Sequence, residues 1–305
     1  MQFHADMIKR TIYLGSPCNL WKKDMQVNIE FPGAEKKEDV TVPIEDIGLL
    51  ILDNPRITLT NALIMALNDN NSAVISCDKS HLPLGLMLPM FSHNTFTEKL
   101  QFQLEASQPL TKNLWQQTVI AKIENQKALL LKEEIDVKKM EFLITEVKSG
   151  DPGNVEGRAA AYYWDNLFGS GEFLRSRFGE PPNNLLNYGY AVLRAIVARS
   201  LVASGLFPSI GIHHRNKYNP YCLADDIMEP FRPFVDSLVL DIVRANPEME
   251  DLTPELKKQL LQIPVIDIVI DGKSSPLMVG IQRTTSSLAS CFEGDLRKIL
   301  YPVFQ

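Results

Sequence analysis

Residues 186–204 read LNYGYAVLRAIVARSLVAS. Their apolar side chains recur at intervals of three and four positions, which is the spacing of a helix with a buried face. The same spacing runs through residues 110–131, 133–147 and 155–168. The sequence therefore predicts a larger, mainly α-helical domain over residues 95–305.

The first third of the chain carries a different pattern. Short apolar or alternating runs bounded by Gly, Pro, Asn and Asp are typical of strands. They lie at Arg10–Leu14, Met25–Phe31, Val40–Pro43, Ile47–Leu52 and Ala73–Cys77, with one short helix at about 61–67. We interpret residues 7–80 as a small N-terminal β domain, which makes the expected fold class α+β.

Two further segments complete the expected organisation. Residues 81–94 contain Pro83, Gly85 and Pro89 and are predicted to form a linker. Residues 1–6, MQFHAD, precede Met7 and are expected to be an upstream extension or a cloning remnant rather than part of the fold.

Length and composition restrict the class of protein. The chain has 305 residues, of which 45% are hydrophobic and 22% charged, which is sufficient for a globular core. No run approaches about 18 uninterrupted apolar residues, so we expect no membrane span and a cytoplasmic protein. The four cysteines lie far apart without a CxxC pair, so neither a zinc ribbon nor a disulfide scaffold is encoded.

The distribution of charge bears on nucleic-acid binding. A net charge of −6 taken over the whole chain argues against it, because duplex binding depends on neutralising phosphates. Residues 154–223, however, carry seven Lys and Arg against four Asp and Glu. This local excess fits either an ordinary solvated surface or a DNA-binding face. The candidate phosphate contacts are Arg158, Arg175, Arg177, Arg194, Arg199, Arg215 and Lys217.

No P-loop, GxGxxG, HExxH or GxSxG pattern is present, and carboxylates and histidines remain as candidates for chemistry. In the segment GIHHRNKYNPYCLADDIMEPFRPFVD, residues 211–236, Asp226 and Glu229 are three positions apart and share one face of a helix. They fit the first turn of a helix, where acids complement the dipole and pair with Arg232. They also fit a site for Mg²⁺ or Mn²⁺ completed by His213 or His214.

A further acid opens the segment VEGRAAAYYWDNLF, residues 155–168. Glu156 begins a helix that continues with Gly157, Arg158 and three alanines, so small residues let another helix approach closely. The pattern again allows two interpretations, a favourable acid at a helix start or a carboxylate placed for a metal.

Three motifs at compatible spacing resemble a known family. They are EGRAAAYYW from residue 156, NYGYAVLRAIVARSLVASGLFPSIGIHH from residue 187, and LADDIMEPFRPFVD from residue 223. This combination is similar to the CRISPR adaptation integrases, the first-numbered Cas protein, in the short type II form. The opening IKRTIYLG and the closing TTSSLASCFEGDLRKILYP fit the same family, so the resemblance covers nearly the whole chain.

The resemblance implies a fold, an assembly and a reaction. The expected fold is an N-terminal β-sandwich followed by a helical catalytic domain. The expected assembly is a homodimer that joins a dimer of the second-numbered Cas protein and, in type II loci, further CRISPR proteins. The expected activity is that of a metal-dependent DNA endonuclease and integrase, which inserts short double-stranded fragments into the CRISPR array.

The resemblance also assigns site residues. Glu156, His214 and Glu229 fall on the family's catalytic positions, and the same three together with Asp226 fall on its ligands for Mg²⁺ or Mn²⁺. The family motif D-x-x-[DE] ends here in Glu229. Two other functions remain open, a metal-dependent nuclease or phosphodiesterase that acts alone and a non-catalytic DNA-binding scaffold of the same fold.

The neighbouring histidines are expected to differ. Successive side chains of an extended loop point in opposite directions, so only one of them can face a given site. The G-x-x-H spacing counted from Gly211 selects His214, which leaves His213 to contact DNA or to pack.

Overall fold

The computed structural model describes residues 9–32, 40–90, 93–169, 173–176 and 179–305. The predicted extension at residues 1–6 lies outside the described residues. Contacts divide the chain into two units, residues 1–94 and 95–305.

The first unit contains two four-stranded sheets. One has the order β1-β5-β7-β8, with β1, β5 and β7 parallel and β8 antiparallel to β7. The other has the order β4-β3-β2-β6. The elements are β1 (Arg10–Leu14), β2 (Asn19–Lys23), β3 (Gln26–Glu30), β4 (Val40–Pro43), β5 (Ile47–Leu52), β6 (Thr58–Leu59), α1 (Asn61–Asp69), β7 (Ala73–Cys77) and β8 (Pro83–Met87).

One hydrophobic core joins the two sheets and α1. It contains Leu14 and Leu50 from the first sheet, Leu20 and Ile29 from the second, and Leu67 from the helix. Residues from both layers are buried in the same cluster, so each sheet covers one face of the other, as in a sandwich.

The linker predicted at residues 81–94 is wrong over Pro83–Met87, which forms strand β8. Leu86 pairs with Ile75 and Pro83 with Cys77, so the segment completes the first sheet. Proline is compatible with this position because β8 is an edge strand and Pro83 is its first residue. The same residues that suggested a loop therefore mark the edge of a sheet.

The second unit is mainly helical. Its elements are α2 (Phe96–Leu104), α3 (Gln108–Lys132), α4 (Lys138–Glu146), α5 (Val155–Leu167), α6 (Asn183–Ala203), α7 (Cys222–Met228), α8 (Arg232–Ala245), α9 (Pro254–Leu260), β9 (Asp267–Ile270), β10 (Lys273–Pro276) and α10 (Leu277–Glu293). The predicted α+β class is confirmed, with sheets concentrated in the first unit and helices in the second. None of the described helices is long and apolar enough to cross a membrane.

Local sequence explains several helix ends. Ser107 accepts a hydrogen bond from the amide of Leu110 at 3.4 Å, and the helix that follows has Pro109 in its first turn. The helix ends at Lys132, and Glu134 adopts a left-handed conformation with φ of 59°. The chain turns there, and this separates α3 from α4.

Gly189 allows α6 to approach its neighbours closely. A Cβ atom at this position would lie 2.6 Å from Cγ1 of Val235 on α8 and 3.3 Å from Cδ1 of Ile263. Both of those side chains are completely buried. The pocket for a side chain at residue 189 is therefore already filled.

We expect Gly189→Ala to destabilise the protein by about 1 to 2 kcal/mol. Overpacking a core costs about 1 to 3 kcal/mol, and the better helix propensity of alanine returns up to about 1 kcal/mol. Urea unfolding of G189A, V235A and the double variant measures the coupling. The double variant is expected to lose less stability than the sum of the single changes. Additive losses would show that Val235 does not limit the space at Gly189.

Candidate active site

Asp226 on α7 organises the loop that carries the two histidines. Its side chain is fully buried, and its Oδ2 accepts from the amide of His213 at 2.9 Å and its Oδ1 from the amide of His214 at 3.2 Å. A Cβ atom at Gly211 would lie 2.4 Å from the carbonyl oxygen of His214. The turn therefore requires glycine at the first position of the G-x-x-H motif.

The ring of His214 is held by the same carboxylate. Nδ1 of His214 lies 2.5 Å from Oδ1 of Asp226. This hydrogen bond raises the pKa of His214, while burial of the ring opposes the rise. Because Nδ1 is engaged, Nε2 is the ring nitrogen left for a ligand, as in histidines that a carboxylate orients toward a metal.

The ring of His213 lies at right angles to that of His214, with the two ring centroids 5.2 Å apart. Its ring stacks on Trp115 of α3, with ring centroids 4.1 Å apart and planes 5° from parallel. Burial against the tryptophan lowers the pKa of His213, which favours the neutral ring. Trp115 contacts both histidine rings, since its edge-to-face contact with His214 has centroids 5.7 Å apart, and the His214 ring differs in being held by the Asp226 carboxylate.

Glu156 is positioned by the capping of α5. The Asp151 carboxylate accepts from the amide of Val155 at 2.9 Å and from the amide of Glu156 at 3.0 Å. Asp151 and Asn154 have φ values of 48° and 46°. The turn containing these two left-handed residues delays the helix until Val155, and its first turn presents Glu156.

Lys122 of α3 lies between the two catalytic candidates. Its ammonium donates to Oε1 of Glu156 and forms an ion pair with Oε2 of Glu229 at 2.5 Å. Lys122 is only 6% exposed and Glu229 only 7%. A lysine and a glutamate at this depth are found in proteins almost only as partners, since an unpaired buried charge is very costly.

Glu229 remains ionised despite its burial. Burial alone would raise the pKa of its carboxyl group, but Arg232 and Lys122 outweigh this effect and lower the pKa to about 2. Nε of Arg232 lies 2.9 Å from Oε1 of Glu229, and its guanidinium lies over the ring of Tyr190 at 4.4 Å. Glu229 is therefore an anion held between two cations.

The donor chemistry of this cluster fits a hard divalent cation. Glu156 and Glu229 turn carboxylate oxygens toward one shared positive charge, and the imidazole of His214 suits Mn²⁺. Within the described parts of the chain, no three His, Cys, Asp or Glu side chains are arranged to hold a metal as they stand. The Lys122 ammonium takes the oxygens that a metal would use.

Asp226 contacts the histidine loop, and its predicted role as a direct metal ligand stays a prediction. Both of its oxygens already accept hydrogen bonds from the histidine loop, and one of them holds the His214 ring. It stands behind His214 and orients the ring. The backbone stays helical from Asp226 to Glu229, which ends α7 with φ −52° and ψ −48°, and a 3-10 turn at Glu229–Phe231 then leads into α8.

The structure separates the predicted phosphate contacts into two groups. Arg199 is 8% exposed, and the partly buried Arg175 donates to Asn183 and Asn187, so the contacts of these two residues do not favour a role in binding phosphates. Arg177 lies outside the described residues. The remaining candidates are the exposed Arg158, Arg215 and Lys217 and the partly buried Arg194.

Two of the exposed candidates line a cleft beside His214. Arg215 and Lys217 contribute to a cavity of about 770 Å³ together with Gln103, Thr111 and Tyr218. Tyr218 is 81% exposed, and its ring lies under the Lys217 ammonium at 4.8 Å. No carboxylate is among the described residues that line the cleft, so its charge favours an anion. Arg158 and Arg194, by contrast, pair with Glu146 and Asp225.

The sequence interpretation missed the contribution of α3. Trp115 and Lys122 are seven residues apart and share a helix face with Asn125 and Gln126, all of them buried. A lysine on the apolar face of an amphipathic helix is a usable signal, because lysine is rarely buried without an acidic partner. That signal would have linked α3 to the glutamates.

A family model described as CRISPR associated protein Cas1 matches residues 12–263. The chain belongs to the Cas1 family. A curated relative, the CRISPR-associated endonuclease Cas1 of Neisseria meningitidis serogroup C (strain 8013), is 38% identical over 253 residues, which cover 82% of each chain. The resemblance carried by the three sequence motifs is thereby confirmed. The type II assignment within the Cas1 family stays a prediction.

Solved structures share the Cas1 fold. A casposase bound to integration product superposes with a TM-score of 0.80 at 21% identity, over 95% of this chain and 92% of that one. A chain of a Cas6-RT-Cas1–Cas2 complex superposes with a TM-score of 0.74 at 17% identity, over 97% of this chain and 36% of that one. At these identities the likeness shows the fold alone.

We expect Asp226→Asn to lower the pKa of His214. The substitution keeps the shape of the side chain but removes the charge that stabilises the imidazolium, and the burial that remains favours the neutral ring. NMR titration of labelled histidines, assigned with H213Q and H214Q, measures the change. His81 of the first unit, which contacts Asp53, is the internal control. An unchanged His214 titration in D226N would contradict the assigned contact.

Proposed function

We propose that this Cas1 family member is a divalent-metal-dependent DNA endonuclease and integrase of CRISPR adaptation. In this proposal it inserts short double-stranded fragments into the CRISPR array. The observation that carries the proposal is the convergence of Glu156 and Glu229 on one buried cation, with the His214 ring within electrostatic range of Glu229. The naming of the Neisseria relative as an endonuclease and the fold shared with a casposase bound to integration product support it.

The reaction is phosphoryl transfer at a diester. The 3′-hydroxyl of one DNA strand attacks a phosphodiester of the array, and water in place of the hydroxyl gives hydrolysis. Bound between Glu156, Glu229 and His214, Mg²⁺ or Mn²⁺ would act as a Lewis acid and stabilise the charge that develops on the attacking and leaving oxygens.

The residues of the chain prepare this site. The low pKa of Glu229 keeps it ionised at any physiological pH, so no proton has to leave before a cation binds. Asp226 fixes the tautomer and direction of His214, and Asp151 fixes the start of α5 and with it Glu156. A scaffold without catalysis would have no need of two partly or fully buried glutamates at one point, since each costs desolvation.

DNA is proposed to bind in the cleft beside His214. Arg215 and Lys217 supply charge for phosphates, and the exposed ring of Tyr218 offers a face for an unpaired base. The cleft adjoins His214, so a strand held there would reach the site.

We further propose that the protein works as a homodimer together with a dimer of Cas2. The superposition on a Cas6-RT-Cas1–Cas2 complex supports the Cas2 partner. We also propose that it acts in the cytoplasm and with other proteins of a type II CRISPR locus. Reconstitution with purified Cas2, a labelled fragment and a repeat-containing plasmid distinguishes integration from hydrolysis by a protein that acts alone.

We expect Glu156→Gln to slow strand transfer by more than about 100-fold, because even partners of metal ligands contribute about 10- to 100-fold. The amide keeps an oxygen for Lys122 but removes the charge that a metal requires. Integration product is measured with Mn²⁺ and Mg²⁺, and DNA binding is measured in parallel. Glu124→Gln, an exposed acid on α3 that pairs with Lys127, is the matched control. Wild-type joining by E156Q would refute the proposed site.

We expect Arg215→Glu with Lys217→Glu to weaken DNA binding and reduce its salt dependence. Each lost phosphate contact on duplex DNA lowers the slope of log K against log salt by about 0.9, so the slope falls by up to about 1.8. Binding is measured between low and moderate salt. Reversal of Lys138 and Lys139, exposed on α4, changes the net charge equally and is the control. Equal losses in the two double variants would place the DNA outside the cleft.

A further inference from the structure

Lys122 occupies the point where the two glutamates meet. Its ammonium contacts Oε1 of Glu156 and Oε2 of Glu229, the oxygens that face each other across the site. Burial of the lysine disfavours its charged form, but Glu229 and Glu156 outweigh this and raise its pKa. Lys122 is therefore a cation at the centre of an anionic pair.

The charges of the four groups joined by ion pairs to Glu156 and Glu229 balance one another. Glu156 and Glu229 contribute two negative charges, and Lys122 and Arg232 contribute two positive charges. A divalent ion added without any rearrangement would place two further positive charges beside two resident cations in a largely buried site, which is very unfavourable. One of the resident cations has to withdraw before a metal can bind.

Lys122 is the cation suited to withdraw. Arg232 lies over Tyr190 and pairs with Oε1 of Glu229, whereas Lys122 pairs with Oε2. The ammonium of Lys122, by comparison, is carried on a flexible four-carbon stem and holds oxygens from both glutamates. Its withdrawal would free one oxygen of each carboxylate together.

We propose that Lys122 is a resident cation that holds Glu156 and Glu229 in place until a divalent metal displaces its ammonium, and that it thereby sets the metal affinity. The inference rests on the proposed metal site and adds a residue that regulates its occupancy. Lys122 is here a positioning residue, which keeps two carboxylates that repel each other aligned while no metal is bound.

A purely structural ion pair would behave differently. If Lys122 only stabilised the fold, its removal would lower the melting temperature equally with and without metal. A resident cation is needed only in the metal-free state, because the metal itself neutralises the glutamates. The loss of stability should then disappear when metal is saturating.

The test compares the full-length wild type with Lys122→Met, which replaces the four-carbon stem by an unbranched side chain of the same number of atoms and removes the ammonium. Mn²⁺ affinity is measured by calorimetry and by the EPR signal of free Mn²⁺, and melting temperatures are measured in EDTA and in saturating Mn²⁺. Lys127→Met is the control, because Lys127 lies on the same helix and pairs with Glu124.

We expect K122M to melt several degrees lower than the wild type in EDTA and to regain the wild-type melting temperature in Mn²⁺. Its Mn²⁺ affinity should rise about tenfold or more, because the metal no longer has to displace a competing positive charge. K127M should change neither quantity. An unchanged or weaker Mn²⁺ affinity in K122M, or a loss of stability that persists in Mn²⁺, overturns the inference.

Two further variants keep the result decisive. If K122M does not fold without metal, Lys122→Arg is used. Its guanidinium keeps the positive charge and binds two carboxylates more strongly than the lysine ammonium does. K122R should bind Mn²⁺ more weakly than the wild type, and tighter binding contradicts the role.

E156Q separates the two proposals. If it binds Mn²⁺ like the wild type, the proposed metal site and the role of Lys122 both fail. If E156Q loses Mn²⁺ while K122M is unchanged, only the role of Lys122 fails.

Discussion

A buried carboxylate must be paired, and Glu229 imposes this requirement on the second unit. At 7% exposure its charge is stable only because Lys122 approaches from α3 and Arg232 from the first turn of α8. Lys122 in turn reaches Glu156 on α5. One ion cluster thus ties together three helices that are far apart in sequence, and the same contacts that stabilise their packing assemble the candidate site.

Residues of helix α3 hold the elements that carry the candidate site in place. Nδ2 of its Asn125 donates to the carbonyl of Pro230 at 2.7 Å and to that of Pro302 at 3.0 Å, while its side-chain oxygen accepts from the amide of Phe304. Asn125 therefore fixes the residue next to Glu229 and the end of the chain at once. Two turns before Lys122, Trp115 supports the ring of His213. The position of the acids depends on a helix that contributes no acid to the site.

The sequence predicted elements whose own residues carry enough signal. Strand β5 is a continuous apolar run, and the pattern located it without error. Strand β2, NLWKK, was missed because its own residues carry little strand pattern and its pairing with neighbouring strands stabilises it. Leu20 is its one fully buried residue and pairs with Ile29 of β3. The site follows the same logic. Motifs located its acids and histidines, but Lys122 becomes meaningful only when folding brings it to Glu156 and Glu229.

The number of basic residues in a segment of the sequence does not give the number exposed on the surface of the protein. Among the basic residues in the middle of the sequence, Arg175 donates hydrogen bonds to asparagine side chains and Arg199 is buried, whereas Arg215 and Lys217 are exposed. Those two directly follow His214 in the chain and line its cleft. Because the net charge of the chain is −6, the proposed attraction of a phosphate chain depends on local positive charge such as that of Arg215 and Lys217 and not on the charge of the whole molecule. The proposed affinity for DNA and the proposed chemistry therefore depend on the same short loop.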